Sequence, residues 1–228
     1  MSRIFLVGSG PSLRDTPLDD LRGEDVMVMN KFGRMAEYFG WKLEPKYYFK
    51  IDHNTVDKTH KKEIQWGVEH CEKLFLWEQF RTGYKVGHSN YEDMPEGVGN
   101  LTGYNVEWIK KCKRHTPYMA GNPKAAQSWH LPEYCTAFGG MSTMMQIASG
   151  MYDEIYLLGC DLGYTPFVDL NHAIPAYTKD TRDKSAMDNK NMLALHQMAK
   201  RSSPIPIYNA TIGGELEVYE RVKLEDIL

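Results

Sequence analysis

The stretch Gly8-Ser9-Gly10-Pro11-Ser12-Leu13 follows an apolar run, Ile4-Phe5-Leu6-Val7. A strand that runs into Gly-x-Gly at the start of a helix presents backbone N–H groups to a phosphate, because glycine admits close approach and a helix N-terminus is electropositive. Pro11 suits the first turn of that helix, and Ser12 offers a hydroxyl to a phosphate oxygen. A dinucleotide fingerprint would place a third glycine where Leu13 stands and an acidic residue where Asn30 stands. Hydride transfer with NAD is therefore disfavoured. The loop reads as a site for another nucleotide or phosphate, with a tight, ligand-free turn as the alternative.

Other residues extend the chemistry. Asn30 and Lys31 follow a second apolar run, where an amide can read a base edge or ribose hydroxyl and a lysine can pair with phosphate; the alternative is that Asn30 caps a helix beginning near Phe32. Asp52, after Phe49-Lys50-Ile51, can hold a sugar hydroxyl or a metal, or cap the next helix. His53, Asp57 and His60 share one helical face, but Lys58, Lys61 and Lys62 beside them read as a solvated face, and no metal ligand set is assigned. Gly139-Gly140, after Phe138, opens a helix and makes either a second anion-approach site or a place of close helix–strand packing. Leu157-Leu158-Gly159-Cys160-Asp161-Leu162-Gly163-Tyr164, with Asn171-His172 beyond it, supplies an acid, a phenol and a proton-transfer group near one strand end.

Short runs of β-branched and aromatic residues alternating with helical stretches predict a doubly wound, mostly parallel α/β sheet. The strands are expected at Ile4–Val7, Val26–Met29, Tyr47–Ile51, Leu74–Trp77, Ile155–Leu158 and Ile205–Tyr208, and helices at about 55–70, 102–113, 140–151 and 186–201. In such a sheet a ligand lies beyond the carboxyl ends of the strands, so Gly8, Asn30, Asp52, the Gly159-Cys160-Asp161 turn and Asn209 are the site candidates. In the last helix Met187, Asn191, Ala194, Leu195 and Met198 recur at core-packing spacing. Residues 79–134, irregular and rich in Gly, Tyr, Trp and His, read as an insertion or lid on a single domain spanning 1–228, or as an ordinary surface excursion.

Composition sets the class. The chain has 228 residues, 42% hydrophobic and 25% charged, as expected for one globular domain, and a formal charge of -3, which argues against a nucleic-acid coat or a polybasic membrane anchor. No apolar stretch approaches the roughly 18–20 residues of a membrane span, and the N-terminus lacks a signal pattern, so a cytoplasmic protein is expected. Cys71, Cys112, Cys135 and Cys160 are widely spaced and read as reduced thiols. The sequence leaves monomer and homo-oligomer equally open.

Taken in order, GSGPSL, Asn30, FGG before residue 141, and DEIYLLGCDLGY resemble the bacterial sialyltransferases of glycosyltransferase family 42. They also resemble the related family that includes archaeal 6-hydroxymethylpterin diphosphokinase and the flagellin motility-associated factors, to which IPIYNATIGGELEVYERVKLEDIL is especially similar. The resemblance covers about residues 1–54 and 135–228, and implies a Rossmann-like, GT-A-like variant of the α/β fold. It implies Gly8, Ser9, Gly10, Ser12, Asn30, Gly139, Gly140, Gly159, Cys160 and Asp161 as contacts of a cytidine monophosphate donor. The chain departs from the sialyltransferases in having Ser9 for asparagine, Phe138-Gly139-Gly140 for Thr-Ser-Gly, and no histidine in 178–190, where their catalytic histidine lies.

These readings converge on a transferase with a nucleotide-activated donor, most simply glycosyl transfer from a CMP-linked sugar to a glycan or small-molecule acceptor. In this scheme Asp161 orients the donor, His172 takes the acceptor proton and Tyr164 or Tyr177 hydrogen-bonds the departing phosphate. The alternatives are diphosphate transfer from ATP, which would require magnesium and use Asp52 and Asp161, and a nucleotide-binding module without catalysis.

Overall fold

The apolar runs become strands buried on both faces, the condition that makes a parallel strand read as a continuous hydrophobic stretch. The computed structural model describes residues 1–51, 60–83, 97–110, 140–163, 171–175 and 185–228. Within them lie β1 (Arg3–Val7), β2 (Val26–Met29), β3 (Tyr47–Lys50), β4 (Lys73–Trp77), β5 (Val106–Ile109), β6 (Glu154–Leu158), β7 (Ile207–Asn209) and β8 (Glu220–Arg221). They form a single parallel sheet in the order β5-β4-β3-β2-β1-β6-β7-β8. The order runs outward one way from β1 to β5, then restarts at β6 on the other side of β1. In open α/β sheets a reversal of this kind is the place for a ligand, here at the carboxyl ends of β1 and β6.

The helices are α1 (Phe32–Phe39), α2 (His60–His70), α3 (Gln79–Thr82), α4 (Gly140–Ser149) and α5 (Ser185–Ser202). Adjacent residues of β3 show that helices cover both faces, because successive side chains of a strand point to opposite sides. A Cβ on Gly67 of α2 would meet the Tyr48 ring, and one on Gly140 of α4 would meet Phe49 and Met29. One continuous core joins both sides and takes in Leu195 and Met198 of α5 as expected.

Two charged side chains are sealed into this apolar interior. Lys50, fully buried at the end of β3, donates to the Glu63 carboxylate of α2, itself only 7% exposed, and its ammonium lies 5.9 Å from the Phe80 ring centroid. At the opposite, amino edge of the sheet, the Tyr152 hydroxyl donates to Asp25 at 2.6 Å and Lys46 donates to the same carboxylate at 2.7 Å.

Several expectations are corrected. The helix expected at 102–113 is strand β5 at 106–109, paired with β4, so the stretch read as an insertion or lid contributes the edge of the sheet as well as α3. The strand expected at 205–208 lies at 207–209, and a short β8 follows it. The Gly-x-Gly loop leads into two 3-10 turns, Pro11–Arg14 and Leu18–Leu21, rather than an α-helix, because Pro17 removes an amide donor and pushes Thr16 out of the helical region.

Candidate functional site

The loop after β1 packs directly on the loop after β6. Gly8 N–H donates to Leu158 O at 2.8 Å and Gly10 N–H to Gly159 O at 2.9 Å, so these two amides continue the β1–β6 pairing past the end of the sheet. Glycine is required for this approach: a Cβ on Gly8 would lie 2.5 Å from Gly159 O, and one on Gly10 would lie 1.9 Å from Asp161 Oδ2. Gly159 itself has φ +64 and faces Leu13.

Asp161 closes the junction. Its carboxylate accepts from Ser12 N–H at 2.9 Å and from Ser12 Oγ at 2.8 Å, and burial raises its pKa while those same bonds pull it back down. Its backbone oxygen accepts from Glu215 N–H at 2.7 Å, and Cys160 N–H donates to Thr211 Oγ1 at 3.1 Å, which seats both residues on the 211–215 turn. Asp161 is thus a clamp between the β1 and β6 loops. Cys160, next to it, is no nucleophile at neutral pH, since burial and the neighbouring carboxylate push its thiol far above the ordinary range.

His172 is brought to the same place from 163 residues away. Its Nδ1 lies 3.3 Å from Ser9 Oγ, and the following Ala173 N–H donates to Ser9 O at 2.9 Å. Burial lowers its pKa to about 4; a bond to the Ser9 backbone opposes that shift, and the charge of Lys31, buried at the end of β2, adds to it. The imidazole is neutral at physiological pH and its proton-accepting form is the resting form.

Asn30 completes the set at the mouth of β2. Its backbone is held in the left-handed region at φ 50 by Asn30 N–H donating to Phe49 O and Tyr48 Oη donating to Asn30 O. Its side-chain Oδ1 is buried and has no partner among the described residues. A buried acceptor without a donor is unfavourable by about 1–3 kcal/mol, and an N–H or O–H of a ligand at these strand ends would remove that penalty. Asn30→Ala is expected to be about 1 kcal/mol less stable than Asn30→Gly, because both remove the buried oxygen and only alanine is strained by the left-handed backbone. Equal losses in urea denaturation would contradict this account.

Two histidines held below their ordinary range weaken the fold in acid. His196 of α5, whose Nδ1 lies 3.1 Å from Tyr219 Oη, is also held at about 4 by burial. In the unfolded chain both histidines titrate near 6.5. Between about pH 6.5 and 4 the unfolded state binds protons that the native state refuses, so stability falls as pH drops through that window. Asp161, raised, works in the opposite sense and offsets part of the loss. Urea midpoints are expected to fall steadily from pH 7 to 4.5, with a shallower slope in His196→Gln; a flat profile would contradict the assignment.

Among the expected site residues, Gly8, Ser9, Gly10, Ser12, Gly159, Cys160, Asp161 and His172 are brought together at the β1–β6 junction, with Asn30 beside them at the next strand end. Gly140 lies against Met29 and Phe49, the close-packing alternative for that glycine. Asn209 is turned inward, its amide donating to Leu216 O and accepting from Thr211 N–H. Asp52, Gly139 and Tyr164 lie outside the described residues, as do His53, Asp57 and Tyr177. Arg14 and Thr211 were not singled out by sequence; both touch the junction only through partners distant in the chain. Among the described residues no helix is long and apolar enough to cross a membrane, and no cluster of three metal-ligating side chains occurs.

No protein-family model and no curated protein sequence matches the chain. Among solved structures, a Campylobacter jejuni sialyltransferase, CstII, in complex with the substrate analogue cytidine-5'-monophosphate matches with a TM-score of 0.53 and 14% identity, over 97% of this chain and 85% of that one. Sialyltransferase CST-II with a trisaccharide acceptor and CMP matches with a TM-score of 0.42 and 16% identity, over 91% of this chain and 80% of that one. At 14% identity the likeness is one of architecture, and the eight-stranded parallel sheet flanked by helices is the α/β, Rossmann-like fold of the CstII sialyltransferase.

Proposed function

We propose that the chain is a transferase that binds a nucleotide-activated donor in the β1–β6 crevice, with a CMP-linked sugar as the donor and a glycan or small molecule as the acceptor. The observation that carries this reading is the convergence, at the point where strand order reverses, of a Ser9–His172 pair and a buried Asn30 oxygen with no partner among the described residues. The same-fold sialyltransferase was solved with cytidine monophosphate, which makes CMP donors the first to test.

In this scheme Ser9 and Asn30 make the polar contacts to the nucleotide. Gly8, Gly10, Ser12, Gly159, Cys160 and Asp161 form the packed floor that holds them. The acceptor hydroxyl attacks the anomeric carbon, the bond from that carbon to the phosphate oxygen breaks, and His172 takes the acceptor proton. An anionic donor beside Lys31 offsets the charge that depresses His172, so the base strengthens when the donor is in place. Tyr164 or Tyr177 would hydrogen-bond the departing phosphate.

A thermal-shift panel of CMP, CDP, UDP, GDP, ATP and CMP-sialic acid, each with and without magnesium, tests the reading. A ligand at about 100 times its Kd adds roughly 2.7 kcal/mol. A magnesium-independent shift with CMP is expected. A magnesium-dependent shift with ATP alone would favour diphosphate transfer, and no shift with any nucleotide would overturn the proposal. His172→Ala is expected to keep the CMP shift and lose turnover by about 10²–10⁴-fold; full turnover would remove His172 from the mechanism.

A further inference from the structure

His172 belongs to no helix or strand. The stretch that carries it, residues 171–175, makes bends and a turn, yet Ala173 and Ile174 are buried. Its attachment runs through the segment following β1. Besides the two contacts to Ser9, the Arg14 guanidinium donates from Nε to Ala173 O at 2.8 Å and from Nη2 to His172 O at 3.0 Å. Arg14 closes the 3-10 turn that begins at Pro11, and its neighbour Ser12 is the residue held by Asp161. One side chain therefore ties the histidine segment to the same turn that is locked to β6.

The choice of residue fits the task. A planar guanidinium donates two N–H groups in fixed geometry and spans two consecutive carbonyls with a preorganisation that an ammonium on a flexible stem lacks. Arg14 itself is exposed, so its loss removes no core packing.

We propose that Arg14 is a positioning residue: by bridging the carbonyls of His172 and Ala173 it sets the direction of the imidazole against Ser9 at the mouth of the crevice. The inference rests on the reading of His172 as the proton acceptor. In this role Arg14 acts on the reaction through the histidine, while its charge also favours the ionised form of Asp161.

Two measurements decide it. In the first, hydrolysis or transfer of CMP-sialic acid is followed in the parent, Arg14→Ala, Arg14→Lys, His172→Ala and the double variant Arg14→Ala/His172→Ala. Misplacing a reacting group by about 1 Å lowers turnover on the order of 10²-fold. Arg14→Ala is expected to lower kcat on that scale with KM within about twofold, and Arg14→Lys to recover part of it. The double variant should be no slower than His172→Ala alone, because both changes act through one group. Parent kcat in Arg14→Ala, or multiplied losses in the double variant, would overturn the proposal.

The second measurement needs no turnover. In histidine side-chain NMR spectra, the resonance removed by His172→Ala is expected to move in Arg14→Ala while the His196 resonance stays in place; an unmoved His172 resonance would overturn the proposal. If His172→Ala retained full turnover, the base assignment would fall, and the NMR result would still say whether Arg14 orients the ring.

Discussion

Lys50→Met is expected to lower the free energy of unfolding by about 3–5 kcal/mol, because it removes the ammonium that pairs with the buried Glu63 carboxylate. Against a typical total of about 5–15 kcal/mol, that brings the protein close to unfolding. The pair itself need not be stabilising. Removing two charges from water costs several kcal/mol each, and their attraction in the interior does little more than return it. The double variant Lys50→Met/Glu63→Leu should therefore regain most of the loss. Urea denaturation of the two single variants and the double variant measures this directly, and a double variant as unstable as either single one would show that the ion pair is a net source of stability.

Gly10→Ala is expected to cost about 3 kcal/mol or more and to abolish the thermal shift with CMP. The reason is space and not backbone conformation, since Gly10 has φ -67, which alanine adopts freely. The added methyl would overlap Asp161 Oδ2 and crowd Gly159 O, forcing apart the clamp that Ser12 and Asp161 form. Overpacking of this kind costs about 1–3 kcal/mol, and each hydrogen bond to a charged group that is lost adds about 1.5–3. Adding Asp161→Ala relieves the worst overlap, so the double variant should lose less than the sum of the single losses. Strict additivity in denaturation midpoints would rule out this clash as the cause. Ser12→Ala, which keeps the backbone bond to Asp161, is expected to be milder than Gly10→Ala.

The sheet was legible where strands are central. β1, β2, β3, β4 and β6 sit between neighbours in a sheet covered by helices, so their side chains are apolar apart from Arg3, Lys50, Lys73 and Glu154 at the strand ends, and the run itself announces the strand. β5 was misread for the opposite reason. Val106-Glu107-Trp108-Ile109 lies at an edge, only Ile109 is buried, and its strand character comes from pairing with β4, including a 2.9 Å ion pair between Lys73 and Glu107. That pairing is a tertiary fact with no local signal. β8, two residues long, carries none either.

The site was legible in its location and less so in its wiring. A Gly-x-Gly after a strand and a Gly-x-Asp after another both pointed to the carboxyl edge, and the parallel sheet brought them side by side. What the sequence could not convey is that the two motifs hydrogen-bond to each other. The amides of Gly8 and Gly10, read as phosphate donors, are taken by the β6 loop, and Asp161, read as a ligand contact, holds Ser12. The same glycine pattern serves ligand approach and chain-to-chain approach, because both require only a missing Cβ. Arg14 escaped notice since an arginine after a turn is ordinary until its partners, 158 and 159 residues away, are known.

The position of β1 in the middle of the sheet has a consequence during synthesis. β1 leaves the ribosome about 150 residues ahead of β6, its neighbour on one side, as the 151-residue separation of the bonded Ser2 and Asp153 shows. At roughly 5–20 residues per second, β1 spends about 8–30 s with its fully apolar flank open on that side. Until β6 arrives, only β2 and the strands beyond it can cover β1. The nascent chain therefore exposes a half-built, sticky edge for much longer than a hairpin protein would, and a chaperone that shields short apolar strands has its natural target at Ile4–Val7.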